Sequence, residues 1–137
     1  MPKKIKTLTL SKAKKKAWDS FSKWVRQNGS IAGFNECVTC GRKKPWKELH
    51  AGHFIPGRHN SVLFDERNVH PQCYACNVVL GGNGPKYQRY MKSKYGQKVI
   101  DELEELDRQN RPMKVYEFLE LADRYGKVGD DTVSPNS

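Results

Sequence analysis

Residues 73–77 read Cys73-Tyr74-Ala75-Cys76-Asn77, and the same Cys-x-x-Cys spacing occurs earlier at Cys37-Val38-Thr39-Cys40. These pairs hold all 4 cysteines of the 137-residue chain. Two such pairs, the first followed by Gly41, read as two knuckles that give four thiolates to one tetrahedral zinc. Four thiolates leave no open coordination position, so this zinc is expected to be structural. A thioredoxin-like redox pair competes with that reading, but it needs one motif at a strand–helix junction and explains neither the second pair nor Gly41. In a reducing compartment disulfides are not expected.

Residues 41–72 separate the knuckles, too long a stretch for a bare zinc ribbon. Strand candidates cover roughly 47–55 and 67–71, with an irregular loop at 56–66 that contains Pro56, Gly57 and Asn60. A helix is expected to begin near Tyr74 and to break at Gly81-Gly82-Asn83-Gly84-Pro85. The suspended stretch includes Glu48-Leu49-His50-Ala51-Gly52-His53-Phe54, with two histidines three positions apart. Hydrolysis of a phosphodiester needs a base to activate water and a cation to hold developing charge. Histidine suits the first task because its ordinary pKa lies near 6.5. The order His50, His53, Asn68, Cys73, Cys76, Asn77 would let a zinc-held helix bring Asn77 against the hairpin.

Outside this centre the apolar residues recur at helical spacing. Ala17, Trp18, Phe21, Trp24 and Val25 form one stripe of a helix over 11–28, with Ser11 read as its N-cap and Asn28-Gly29 as its end. Helical pattern returns over about 86–95, 97–109 and 113–125, punctuated by Gly96 and Asn110-Arg111-Pro112. Residues 1–10 read as a basic arm and 127–137 as a disordered tail. The whole is expected to be one domain of α+β class.

The net charge is +10, unevenly spread: basic residues dominate up to about residue 96, and acids outnumber them beyond it. Such a front suggests a polyanionic partner, most simply nucleic acid, although a solvated lysine-rich helix gives the same count. No apolar run approaches the roughly 20 residues needed to cross a bilayer. The first twelve residues lack the pattern of a secretory signal, so the chain is expected to work inside a cell.

The segments AGHF (51–54), LFDERNVHPQCYACN (63–77) and GNGPKYQRYMKSKYGQKVIDELEE (82–105) resemble the phage NinG (Rap) recombination proteins, over about residues 10–125. The element order resembles the HNH, or ββα-metal, nuclease group. That resemblance implies a small zinc-pinned, treble-clef-like ββα-metal unit over 36–80, flanked by the basic helix and by C-terminal helices over 85–126. It implies a metal-dependent endonuclease on branched DNA such as Holliday junctions and displacement loops, in the cytoplasm of a host bacterium. His53 matches the general base, Asn68 the residue that braces the loop and helps orient that base, and Asn77 a ligand of catalytic Mg²⁺ or Mn²⁺. Many HNH enzymes carry Asp or His just before the base; here Gly52 cannot bind metal, which shifts that task to His50. The rival for His50 is an outer role beside the metal, for Asn77 a helix cap, and for His53 a buried structural histidine. His59 and His70 are poorer candidates, with His70 facing away or touching phosphate, and Asp65 and Glu66 fit less well as helpers to the metal.

Phosphate contacts are expected from Lys12, Lys14, Lys15, Lys16, Arg42, Lys43, Lys44, Arg58, Arg67, Lys86 and Arg89. Cutting a four-way junction in two places favours a homodimer, with recombination proteins as possible partners. Helices 97–125 supply either its interface or the monomer's core. Two other classes stay open: a non-catalytic zinc module that binds or anneals DNA, and an HNH nicking or restriction-type enzyme indifferent to branches.

Overall fold

The computed structural model describes residues 8–56 and 60–131, with side chains described to residue 127. Most of the expected basic arm, Arg58, His59 and the last six positions of the expected tail lie outside the described residues.

The first helix, α1 (Leu10–Gln27), forms because small and aromatic residues recur along one face: Ala13, Ala17, Phe21 and Val25 are buried. Its N-cap is Thr9, whose hydroxyl accepts from Lys12 N, and not Ser11. The two hydroxyls are neighbours, but α1 starts one residue earlier than the stripe suggests, and Leu8 already packs on the core. The basic arm therefore does not extend to residue 10.

Two hairpins follow. β1 (Phe34–Glu36) pairs antiparallel with β2 (Lys43–Pro45) around the first knuckle. β3 (His50–His53) pairs antiparallel with β4 (Val69–Gln72), with His50 opposite Gln72, Gly52 opposite His70 and His53 opposite Val69. The strands are shorter than the sequence suggests. Trp46–Glu48 forms a 3₁₀ turn before β3, and Asp65 closes a turn before β4 by accepting from Arg67 N over 2.9 Å. The loop between them contains a helical turn, α2 (Asn60–Leu63).

Helical backbone begins at Tyr74 as expected, but Ala75–Val79 is wound as a π turn, with Leu80 N donating to Ala75 O. The glycines then redirect the chain: Gly82, at φ 99°, donates its N–H to Cys76 O. α3 (Gly84–Lys94), α4 (Gln97–Gln109) and α5 (Val115–Asp131) complete the chain. α5 runs six residues beyond the expected end at 125, so the first five positions of the expected tail are helical.

The core falls into three clusters. α1 packs along α5 and covers one face of the β3–β4 hairpin, joining Phe21, Val25, Phe64, Val69, Phe118 and Tyr125. The four cysteines gather with Leu49. Tyr87, Met91, Ile100 and Leu103 join α3 to α4, with Phe54 and Ile55 against them. The apolar stripes of α4 and α5 thus contribute to the chain's own core, one of the two roles expected of them. Among the described residues no helix is long and apolar enough to cross a membrane.

Candidate metal centre and hairpin site

The knuckles meet because β1–β2 and β3–β4 are stitched together by Val38 N donating to Pro71 O. The sulfurs of Cys37, Cys40, Cys73 and Cys76 lie within 4.8 Å of one another, and they are the only such His/Cys/Asp/Glu group among the described residues. Cys40 Sγ and Cys73 Sγ are 3.7 Å apart. A tetrahedron with metal–sulfur bonds of about 2.3 Å has edges of roughly 3.8 Å, so the donor set fits zinc. N–H groups point at the sulfurs, Cys76 N at Cys73 Sγ over 3.4 Å and Asn83 Nδ2 at Cys76 Sγ over 3.5 Å. Burial opposes ionisation of Cys37, but the Thr39 hydroxyl and nearby backbone N–H groups draw its pKa down. Burial pushes the Cys40 thiol up. A cation would ionise all four.

Side chains alternate along β3, and its two histidines face opposite sides. His50 and Gly52 face the cysteines and the π turn; Ala51 and His53 face α1. On the first side Asn77 Nδ2 donates to His50 Nδ1 over 3.1 Å. That ring nitrogen therefore presents a lone pair. Turning the amide over would set Oδ1 beside it, giving two neutral donors that suit a divalent cation. The Tyr74 ring stands edge-on to His50 at 5.8 Å, and Tyr74, Val78, Val79 and Leu80 are exposed along this segment.

On the second side the His53 ring stacks on Trp18, with centroids 5.1 Å apart and planes 19° from parallel. His53 Nε2 lies 3.3 Å from Leu63 O. A carbonyl can only accept, so Nε2 carries the hydrogen and Nδ1 keeps the free lone pair. Burial holds the His53 pKa below its ordinary value and so favours the neutral base, opposed by the hydrogen bond to Leu63 O, which favours the charged form. Asn68, fully buried, spans the loop: its Oδ1 accepts from Ile55 N over 2.8 Å, and its Nδ2 donates to Ile55 O and Val62 O. It thus fixes both segments that frame His53.

Gly52 has a steric cause. A Cβ there would lie 2.7 Å from Gln72 Cδ and closer still to its amide oxygen. Gln72 is immobilised by donating to Thr39 Oγ1 and Gly82 O, so it ties both knuckles to the hairpin. No metal-binding side chain fits at position 52, which leaves His50 as the histidine beside Asn77.

The remaining candidates separate. Lys12, Lys16, Arg42, Lys43, Lys86 and Arg89 are exposed, while Lys14 and Lys44 are half-buried. Lys15 pairs with Asp19 at 3.0 Å. Arg67 is committed to Asp65 at 2.9 Å and Glu102 at 3.0 Å, which ties up its guanidinium. Asp65 holds Arg67, and Glu66 accepts from Tyr125 Oη, so neither carboxylate is directed to the hairpin site. His70 is buried between Tyr87 and Tyr95, not at a phosphate-facing surface. Trp18 was legible only as a core residue, since nothing in the sequence pairs it with a histidine 35 positions away.

These features define a small mixed α+β protein whose two hairpins are joined around a four-cysteine cluster able to hold a metal ion. The family is equally definite: a family model described as Bacteriophage Lambda NinG protein matches residues 2–129, and the chain belongs to that family. It is similar to "Protein ninG" of Escherichia phage 933W, 35% identical over 69 residues, covering 50% of this chain and 34% of that protein. Its likeness to "Protein ninG" of Escherichia phage lambda is 35% over 69 residues, covering 50% and 33%. For Salmonella phage P22 the values are 32% over 76 residues, 55% and 37%. The matched stretch thus spans about a third of the length of these relatives. No solved structure matches the chain.

Proposed function

We propose that the chain is a metal-dependent DNA endonuclease of the HNH type, acting on branched recombination intermediates such as Holliday junctions and displacement loops. The observation that carries this reading is the meeting of His50 Nδ1 and Asn77 at 3.1 Å, at the other end of β3 from a half-buried histidine with a free Nδ1. The four cysteines hold a structural zinc that fixes Asn77 against the hairpin. His50 and Asn77 hold Mg²⁺ or Mn²⁺, which when bound supplies charge stabilisation for the leaving 3′-oxygen.

His53 Nδ1 takes a proton from the attacking water, while Leu63 O holds the opposite ring nitrogen and Trp18 holds the ring plane. β3 has one strand neighbour, and its outer edge borders both of its faces. In this reading the scissile phosphodiester lies along that edge, between His50 on one face and His53 on the other. The products are a 5′-phosphate and a 3′-hydroxyl. Exposed Lys12, Lys16, Arg42, Lys43, Lys86 and Arg89 supply affinity with little sequence reading. Two cuts at a junction call for a homodimer, formed through surfaces other than the buried stripes of α4 and α5. Recombination proteins are its partners, in the cytoplasm of the host cell.

The test is cleavage of linear, flapped and four-way DNA with Mg²⁺ or Mn²⁺. Faster cutting of branched substrates is expected; a zinc-loaded protein that binds all of them and cuts none with either metal overturns the enzyme reading. Equal cutting of linear DNA removes the branch preference. His53→Ala should cut about 10²–10⁴-fold more slowly with binding intact. His50→Ala should raise the metal concentration needed, and His50→Asp should retain much activity because a carboxylate oxygen suits Mg²⁺. If both alanine variants show the same metal defect, the division of roles is wrong.

A further inference from the structure

His70 has no part in that reaction, yet it sits at the centre of a buried hydrogen-bond chain. Tyr87 Oη lies 2.7 Å from Gly52 O and 3.0 Å from His70 Nδ1. His70 Nε2 lies 2.9 Å from Tyr95 Oη. Tyr87 is 1% exposed, so both of its contacts must be satisfied without bulk water.

The donors can be assigned by counting. Gly52 O only accepts, so the single hydrogen of Tyr87 points at it. Tyr87 Oη must then accept from His70, which places the imidazole hydrogen on Nδ1. Nε2 is left with a lone pair and accepts from Tyr95 Oη. The chain therefore has one direction, from Tyr95 through His70 and Tyr87 to the carbonyl of Gly52. That carbonyl belongs to the peptide unit whose nitrogen is His53 N.

We propose that His70, acting through Tyr87, is a positioning residue: as the neutral Nδ1–H tautomer it anchors the Gly52–His53 peptide plane and so sets the approach of His53. The functional consequence rests on the endonuclease reading above; the hydrogen-bond chain does not. The surroundings keep His70 neutral. Burial first, then the charge of Lys94, pushes its pKa down to about 4, opposed only by Asp65. Tyr87, Tyr90 and Tyr95 enclose the ring, with Tyr90 edge-on at 5.1 Å. An imidazolium would put hydrogens on both nitrogens, and Nε2 could no longer accept from Tyr95.

Two replacements split the relay. An asparagine amide can place a donor where Nδ1 stands, and a glutamine amide reaches the position of Nε2. The zinc-loaded full chain is followed by ¹⁵N NMR. His70 should show the Nδ1–H tautomer and no titration between pH 5 and 9. Tyr87→Phe and His70→Gln should shift the His53 amide nitrogen and the titration midpoint of its ring, whereas His70→Asn should leave both close to wild type. Cleavage should fall about 10–100-fold in Tyr87→Phe, as for other outer supports of a site, and recover in His70→Asn. An Nε2–H tautomer, or a His53 unmoved by Tyr87→Phe, overturns the proposal. If wild-type protein cuts no DNA, the nuclease reading fails while the two NMR results still decide the relay.

Discussion

The two faces of the β3–β4 hairpin are held by different physics. One carries His50, Gly52, His70 and Gln72, with hydrogen bonds at His50 Nδ1, at both His70 ring nitrogens and at the Gln72 amide nitrogen, while the Gln72 amide oxygen packs against Gly52 without a partner. The other carries Ala51, His53 and Val69 and is covered by Trp18, Phe21 and Phe64. Hydrogen bonds and metal donors fix atoms to within tenths of an ångström but fail when one partner is removed. Apolar packing is proportional to area and fails by degrees. The same four-residue strand thus presents a donor pair on its directional face and a desolvated histidine on its apolar face.

The largest expected effect breaks the directional face. Cys76→Ser, or removal of zinc by a chelator, should unfold the 36–80 unit, since such sites contribute on the order of 10 kcal/mol. Phe21→Ala, on the apolar face, should cost about 3–5 kcal/mol and lower the melting temperature with zinc retained. Metal analysis with circular dichroism compares the two. A folded, metal-free Cys76→Ser protein would show that packing alone holds both faces.

The next effect is a pH dependence that sorts the faces. The His70 pKa is pushed to about 4 by burial and Lys94, against about 6.5 in an unfolded chain. Between those values the unfolded chain binds more protons, so stability rises with pH through this window and is fully present above 6.5. Burial lowers the His53 pKa too, which adds in the same direction. His70→Asn should therefore lose less stability than wild type between pH 6.5 and 4.5, measured as the shift in urea midpoint. Equal slopes would mean that His70 takes up its proton in the native protein as readily as in the unfolded chain.

The sequence showed periodic and chemical features well and tertiary choices poorly. α4 begins and ends where its apolar spacing predicts, because Ile100 and Leu103 both set the helical pattern and fill the core. The cysteines carry their own geometry, and their sulfurs do gather. Arg67 looked free for phosphate because one of its two partners, Glu102, is 35 positions away on α4. The Trp18–His53 stack and the His70 relay depend on which face each residue takes once α1 and α3 have packed, and no local pattern reports that. α5 ran past its expected end because Tyr125 closes the apolar stripe that the sequence shows, whereas the helical backbone continues to Asp131.

The smallest effect concerns the lysines of α1, which lie outside both faces yet beside one of them. Lys14 is one helical turn before Trp18, on the side that leads towards His53. Lys15 is paired with Asp19, and Lys16 borders a shallow cleft with Asp19 and Asp123. An exposed pair of that kind is worth little, but each carboxylate also repels a phosphate. Replacing Lys12 and Lys14 with Gln should therefore weaken DNA binding more than replacing Lys15 and Lys16. Removing one lysine–phosphate interaction should flatten the slope of log affinity against log salt by roughly 0.9. Both double variants should weaken on linear and branched DNA in the same proportion, because phosphate binding carries no sequence or branch information. Affinity titrations at several salt concentrations read the difference. An unchanged slope in the Lys12/Lys14 variant would mean that α1 presents its lysines only to water, and that DNA reaches the outer edge of β3 by way of Arg42, Lys43, Lys86 and Arg89 instead.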